Sequence, residues 1–433
     1  LRSFADREPR VNLDWHRLKA VVFESDDWGL CAWVPDDRAH RALAHLPAFR
    51  TDAGLRYGRS TLETADDVRE LAGVLLGWRG GDGFPPVWQA NTIVANPDYA
   101  ALHPPLFEVE ELPLVPAPGL PARWARPGLW DAVHQAEVDG VWWAELHGLH
   151  HLPETAWLNA LRRGQDDARR AHEQASPIGS AVEASGEFDA SEPRELRAEN
   201  LRKALHVFRL VFGRAPTSFC PPDYRADDWF EQLAEAVGVT TFQGKAEQAG
   251  HALPPLRRRW LGIRFPQHEG GRFYMPPRIA FEPTGNAAAP GRRGLEAAVH
   301  AAREAWSQGR PAVISSHRMN YAHLDAAWSQ AGRTALSALL ERLCADGAVF
   351  LTDHEVRQLS ERAWSVRELA GRGVLLRHYG VPRESLHFPA PEGVRGARLV
   401  GPHGDPRAEV GVSQGQVEVS VNLGEYVLEW THE

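Results

Sequence analysis

A chain of 433 residues with 43% hydrophobic and 24% charged residues has room for one large packed domain and an appendage. Its formal charge of −9 excludes the concentrated cationic face that binds phosphate backbones, so nucleic acid is not an expected partner. Cys31, Cys220 and Cys344 lie far apart, which excludes a disulfide framework and a CxxC metal knuckle.

Leu18 to Ser25 reads as a buried strand, followed by helices over Asp36 to Leu46 and Ser60 to Trp78. Val87 to Ala95 is the next strand, Leu129 to Val138 a helix, and Val141 to Leu146 a strand again. The segment from Pro153 to Pro193 is polar and reads as an excursion, helical at first and loop-like around Ser176 to Glu187. In Arg194 to Phe212, Leu201, Leu205, Phe208 and Phe212 fall on one helical face. A strand near Pro216 to Cys220, a helix at Asp227 to Val237 and a strand at Val239 to Phe242 follow. Leu261 to Phe265 and Phe273 to Phe281 read as irregular strands. The series closes with a helix at Gly294 to Gln308, a strand at Ala312 to Ser316, a helix at Thr334 to Ala345 and a strand at Val349 to Leu351. Alternating strands and helices imply βαβ units and a parallel sheet, expected to curl into a distorted (β/α) barrel over residues 1–365.

Residues 371–433 change character and read as a small all-β appendage. Val417, Val419, Val421 and Leu423 alternate with polar residues, Gly424 and Glu425 suggest a turn, and Tyr426, Leu428 and Trp430 alternate again. This pattern predicts a β-hairpin, with Val374 to Tyr379 and Ala397 to Val400 as further strands. The expected role is capping the barrel or aiding assembly, with sugar binding as the sharper alternative. No apolar run is long enough for a transmembrane helix. The start at Leu1 is compatible with a cytoplasmic chain or with one exported and stripped of its signal peptide.

Three short segments carry the chemistry, and each sits just past an expected strand. In parallel α/β folds that end of the sheet faces the active site. The first is Glu24-Ser25-Asp26-Asp27-Trp28-Gly29. Two adjacent aspartates in a partly buried place repel when both are ionised, and a cation relieves that cost. The second is Glu145-Leu146-His147-Gly148-Leu149-His150-His151. If the chain turns helically there, His147 and His151 lie on one face and can share a metal, with His150 as an alternative. The third is Ile314-Ser315-Ser316-His317, whose histidine suits a general acid.

Taken together, these segments resemble the polysaccharide deacetylase family of carbohydrate esterases over about residues 18 to 360. The likeness is nearest to a divergent branch with ESDDWG, HGxxH and SSHRxN stretches. The resemblance implies Asp26 as general base and His317 as general acid. It implies a divalent metal, most readily Zn2+, on Asp27, His147 and His151, and an N-acetylated glycan as substrate. The family's third motif is altered. Phe219-Cys220-Pro221-Pro222-Asp223-Tyr224 keeps the prolines but has Cys220 where an arginine that positions the base is expected. Arg225, Arg278 or Arg318 could replace it. Asp223 or Tyr224 would supply the oxyanion N–H, and Arg278 and Glu282 are candidates for the fourth motif. Trp28 and Tyr224 are expected in the substrate cleft, Trp142 and Trp143 in the core. Two rivals share this sequence: hydrolysis of another C–N bond, in a small amide or cyclic imide, and an inactive carbohydrate-binding or assembly protein. A Cys220 nucleophile is a minor alternative.

Overall fold

A computed structural model describes residues 13–103, 107–109, 111–182, 186–244, 265–285, 293–401, 404 and 406–431. Residues 261–264 of one expected strand lie outside them. The main sheet contains β1 (Ala20–Trp28), β2 (Trp88–Ile93), β5 (Trp142–Gly148), β6 (Ser218–Phe219), β7 (Thr241–Phe242), β8 (Gln267–Glu269), β9 (Arg272–Tyr274), β10 (Arg278–Ala280), β11 (Ala312–His317) and β12 (Val349–Phe350). A short ribbon, β3 (Ala95–Pro97) and β4 (Leu114–Pro116), leaves the end of β2.

The strands run in the order β10-β11-β1-β2-β5-β6-β7-β9-β8, with β12 also on β1, and all pairs are parallel except β8 with β9. Among the described residues no strand pairing joins β10 to β8, so the expected barrel is not closed by backbone hydrogen bonds. The sheet is nonetheless strongly curled. Arg278 on β10 bonds Tyr224, which follows β6, and Gln243, which follows β7. Side chains therefore bridge a gap that strands leave open.

Near-continuous apolar strands pack helices against their outer side. Phe23, Trp88, Ala312 and Ile314 share a core with the helices Ala65–Leu76, Leu295–Ser307 and Ala326–Ala345. Helix Ala65–Leu76 starts at a capping box, Thr64 with Asp67. Helix Ala326–Ala345 begins well before the expected Thr334, because the Asp325 side chain caps it. The 153–193 excursion folds as two helices, Glu154–Arg162 and Asp166–Glu173, and a turn at Ser180–Val182.

The C-terminal sheet is antiparallel throughout. Its strands are β13 (Trp364–Glu368), β14 (Gly373–His378), β15 (Ser385–Pro389), β16 (Gly396–Val400), β17 (Pro406–Ser413), β18 (Gln416–Ser420) and β19 (Gly424–Thr431), in the order β13-β14-β19-β16-β17-β18-β15. Its two edges meet: Trp364 of β13 lies 6.3 Å from Phe388 of β15, so the sheet bends around its own core. The expected hairpin between β18 and β19 is not formed. β19 pairs with β14 and β16, whereas β18 pairs with β15 and with β17 across Gln414-Gly415. Both turn residues have positive φ, 52° and 70°, as a tight two-residue turn requires.

This sheet docks through buried charge at the end of the main sheet opposite the three chemical segments. Arg377 donates to Asp82 at 2.8 Å and also bonds Glu355, while Arg367 donates to the Gly140 carbonyl at 3.2 Å. Asp82 and Gly140 precede β2 and β5, and are thus at strand beginnings.

Candidate active site

Neighbouring residues of a regular strand point to opposite faces, so Asp26 and Asp27 should diverge. They do not. The β1–β2 register slips by one residue between Ser25 and Trp28, and Asp27 takes φ 74°. This bulge turns both carboxylates into one cavity. β5 slips in the same way: Thr92 pairs with Leu146 and Ile93 with Gly148, leaving His147 as the extra residue. His147 Nδ1 donates to the Cys220 carbonyl at 2.8 Å, which aims Nε2 at Asp27, 3.4 Å away.

His151 reaches the same carboxylate, its Nε2 3.7 Å from Asp27 Oδ1. The route is not the expected helical turn. The chain leaves β5 at Gly148, and His151 itself is left-handed at φ 64°. One carboxylate, Glu187, holds this turn: its Oε1 accepts the N–H groups of Leu149, His150 and His151 at 2.8, 3.2 and 3.1 Å. A Cβ on residue 148 would sit 2.2 Å from that oxygen, so only glycine fits. His150 points away, buried against Glu154 at 3.2 Å, and is not part of the trio.

Asp27, His147 and His151 present ligand atoms all within 4.8 Å of one another. Tetrahedral ligands about 2.0–2.1 Å from an ion lie about 3.3 Å apart, close to the 3.4 and 3.7 Å found here. A second trio, Asp26 with His147 and Cys220, is equally compact, but its carboxylate is already committed. Arg278 donates to Asp26 at 2.6 and 3.2 Å, and Asn91 donates at 2.6 Å. Burial opposes the charge on Asp26, yet Arg278, His147 and His317 outweigh it and hold the carboxyl at about 2.

Of the three candidate arginines, Arg278 is the one that reaches Asp26. Besides Asp26 it bonds Glu24, Gln243 at 2.6 Å and the Tyr224 hydroxyl at 2.6 Å. Arg318 does not act there. Its Nη1 donates to the Leu30 carbonyl at 2.7 Å and to Glu63 at 3.0 Å, in the core behind the cavity. Arg225 pairs with Asp189 instead. Trp28 is also corrected: it is buried, its Nε1 donates to Ser25 at 2.9 Å, and its ring packs on Trp142. Trp142 and Trp143 are core residues, as expected.

β11 carries His317 into register beside Asp26, with Nε2 3.9 Å from Oδ2. His317 Nδ1 bonds Glu282, which Asn320 and Arg56 also hold at 2.6 and 3.0 Å. Burial alone would lower the imidazole pKa, but the carboxylates around it, Glu282 foremost with Asp27 and Asp26, outweigh this and raise it to about 9. Asp223 and Tyr224 line the cavity in a turn where both have positive φ, 51° and 55°. The Tyr224 N–H is given to the Pro221 carbonyl at 2.9 Å. The Cys220 thiol is buried, and burial pushes its pKa up, the reverse of what a nucleophile needs.

Sequence reasoning missed Glu187, Gln243, Asn91 and Arg56. Asn91 bonds Asp26 and Glu187 holds the turn that carries His151, while Gln243 and Arg56 act one step back, on Arg278 and Glu282, and no local spacing announces any of them. Asn320, inside the SSHRxN stretch, was within reach.

No family model matches the chain, and no curated protein matches it. Solved structures resemble it distantly. A structure described as a polysaccharide deacetylase from Mycobacterium smegmatis is 12% identical, with 82% of this chain and 95% of that chain covered and a TM-score of 0.40. Agd3, described as a carbohydrate deacetylase, is 11% identical, with 98% and 65% covered and a TM-score of 0.39. A 4-alpha-glucanotransferase from Thermococcus litoralis is 9% identical, with 78% and 40% covered and a TM-score of 0.41. These neighbours are carbohydrate-active enzymes. Among the described residues no helix is long and apolar enough to cross a membrane.

Proposed function

We propose that this chain is a metal-dependent amide hydrolase that removes N-acetyl groups from an amino-sugar glycan. The observation that carries this reading is the convergence of Asp27, His147 and His151 on one point, with Asp26 and His317 beside it. A mixed carboxylate and imidazole set suits Zn2+ among divalent ions. A divalent ion held by these three residues supplies an activated water and a Lewis acid for the amide oxygen.

The chain's own residues do the rest. Asp26, kept ionised by Arg278, accepts the proton of the attacking water. The water oxygen forms the new bond to the carbonyl carbon. With the Tyr224 N–H committed to the Pro221 carbonyl, the Asp223 N–H is the donor assigned to the developing oxyanion. His317, kept protonated by Glu282, gives its proton to the nitrogen as the C–N bond breaks. Acetate and a free amine leave. The polar network beneath, Gln243 with Asn91 and Ser218, keeps Asp26 and Arg278 from reorienting.

Acetate release from N-acetylated oligosaccharides tests the reading. Turnover that chelation abolishes and Zn2+ restores supports it. Oligosaccharide binding that needs no metal, with no acetate released, would replace it with a binding protein.

A further inference from the structure

The cavity above the reaction centre, open to solvent on one side, has a volume of about 430 Å³, room for a small-molecule ligand. Its floor is Asp26, Asp27, His147, His151 and His317. Its walls have another chemistry. Leu30, Trp33, Ala53, Leu152, Ile178 and Val182 form most of them. Thr51, Tyr57, Asp223 and Tyr224 are the polar side chains added above the floor. The Thr51 hydroxyl is already used, donating to the Ala48 carbonyl at 2.9 Å and accepting from the Gly54 N–H at 3.0 Å. The Tyr224 hydroxyl accepts from Arg278. A sugar ring laid against these walls would find few polar partners above the floor beyond Tyr57 and Asp223. A hydrocarbon needs none.

Trp33 is a second, independent sign. It holds φ 67°, unusual for a bulky residue. Its ring is wedged between Phe49, edge-on at 5.3 Å, and Tyr57, stacked at 6.0 Å. Strained backbone over-determined by packing collects where a site must be shaped. Ile178 and Val182, from the 153–193 excursion, add to the apolar lining, and Ile178 packs against the same cluster as Trp33.

Resting on the metal-dependent amide hydrolysis of that reading, and replacing its N-acetylated glycan as substrate, we infer that the scissile amide carries an apolar group, alkyl or aryl and larger than an acetyl methyl, which lies against these walls. The group enters from the acyl side, as a longer chain, or from the amine side, as an apolar substituent. The chemistry recognised is the same.

Calorimetric titration of the Zn2+-loaded protein with straight-chain hydroxamates, from acetohydroxamate to octanohydroxamate, reads the wall. Affinity should rise about two- to fourfold per methylene until the cavity is full. Val182→Asp and Ile178→Asp should each flatten the series and leave acetohydroxamate affinity unchanged. A flat series in the native protein overturns the inference while the proposed function stands. If acetohydroxamate itself does not bind, the proposed function falls instead. The wall is then read on metal-free protein by calorimetry with N-octylacetamide, where absence of saturable binding overturns the inference. Turnover separates the two sources. Faster hydrolysis of N-octanoylglucosamine than of N-acetylglucosamine places the group on the acyl side. Faster hydrolysis of N-octylacetamide places it on the amine side. Neither being faster overturns the inference.

Discussion

The floor and the walls of the cavity are built by different means. Reactive groups on the floor are fixed by polar partners: Asp26 by Arg278, His317 by Glu282, the His151 turn by Glu187, and His147 by the Cys220 carbonyl. The walls are fixed by packing, with Trp33 against Phe49 and Tyr57. Floor residues come mostly from strand ends of the main sheet, wall residues from the segments between strands. Reaction type and substrate choice therefore rest on parts that can vary separately. Perturbing a floor partner should damage the chemistry, and perturbing a wall should change only what is accepted.

The largest expected effect is on the floor itself. Asp26→Asn should cut kcat by about 10²–10⁴ while substrate affinity persists, as steady-state kinetics would show. Next is its holder. Arg278→Met leaves Glu24 and Asp26 buried without their counter-charge, a loss of about 3–5 kcal/mol measurable by denaturant unfolding. A loss of activity with stability intact would mean that Arg278 is not holding these carboxylates.

Glu187→Gln should be milder. It weakens the clamp on the backbone of residues 149–151 and should lower metal affinity about 10–100-fold, read by competition with a chromogenic chelator. Glu282→Gln removes the largest influence that raises the His317 pKa, leaving Asp26 and Asp27 against the burial that lowers it. The acid form is present below about 9 in the native protein, so the alkaline limb of the rate profile should move down by about one pH unit or more. An unmoved limb would separate Glu282 from the acid.

The smallest effect lies outside the site. Burial pushes His172, in the helix Asp166–Glu173, down to about 4. Unfolded, it takes a proton near its ordinary value of about 6.5. Its stabilising neutral form therefore counts fully above that value, and its contribution is lost as pH falls towards 4. His323 and His354 behave alike. Thermal unfolding at pH 7 and pH 5 should show a fall, and His172→Phe should reduce it by on the order of 1 kcal/mol.

Much of the floor was legible because strand ends announce themselves. Asp26, Asp27, His147 and His317 each follow or end an apolar run, and that placement alone gathers them. What the residues could not tell was how they converge. His147 and His151 meet through a bulge and a left-handed residue rather than along a helix, and such features depend on φ angles that spacing does not encode. The choice of Arg278 over Arg318 was equally hidden. Arg278 lies within one expected strand and Arg318 just past another, and only the curl of the sheet decides which guanidinium reaches Asp26. In the C-terminal sheet, alternation located β18 and β19 but could not say which neighbours they pair with, because period-two patterning fixes facing and not partner.

The central claim is that Asp27, His147 and His151 share one divalent ion. Anomalous diffraction from crystals grown with Zn2+, collected at the zinc edge, tests it most directly. One peak within coordination distance of those three side chains, absent in His151→Ala crystals, is the expected result. A peak elsewhere, or none between Asp27 and the two imidazoles, would contradict the account.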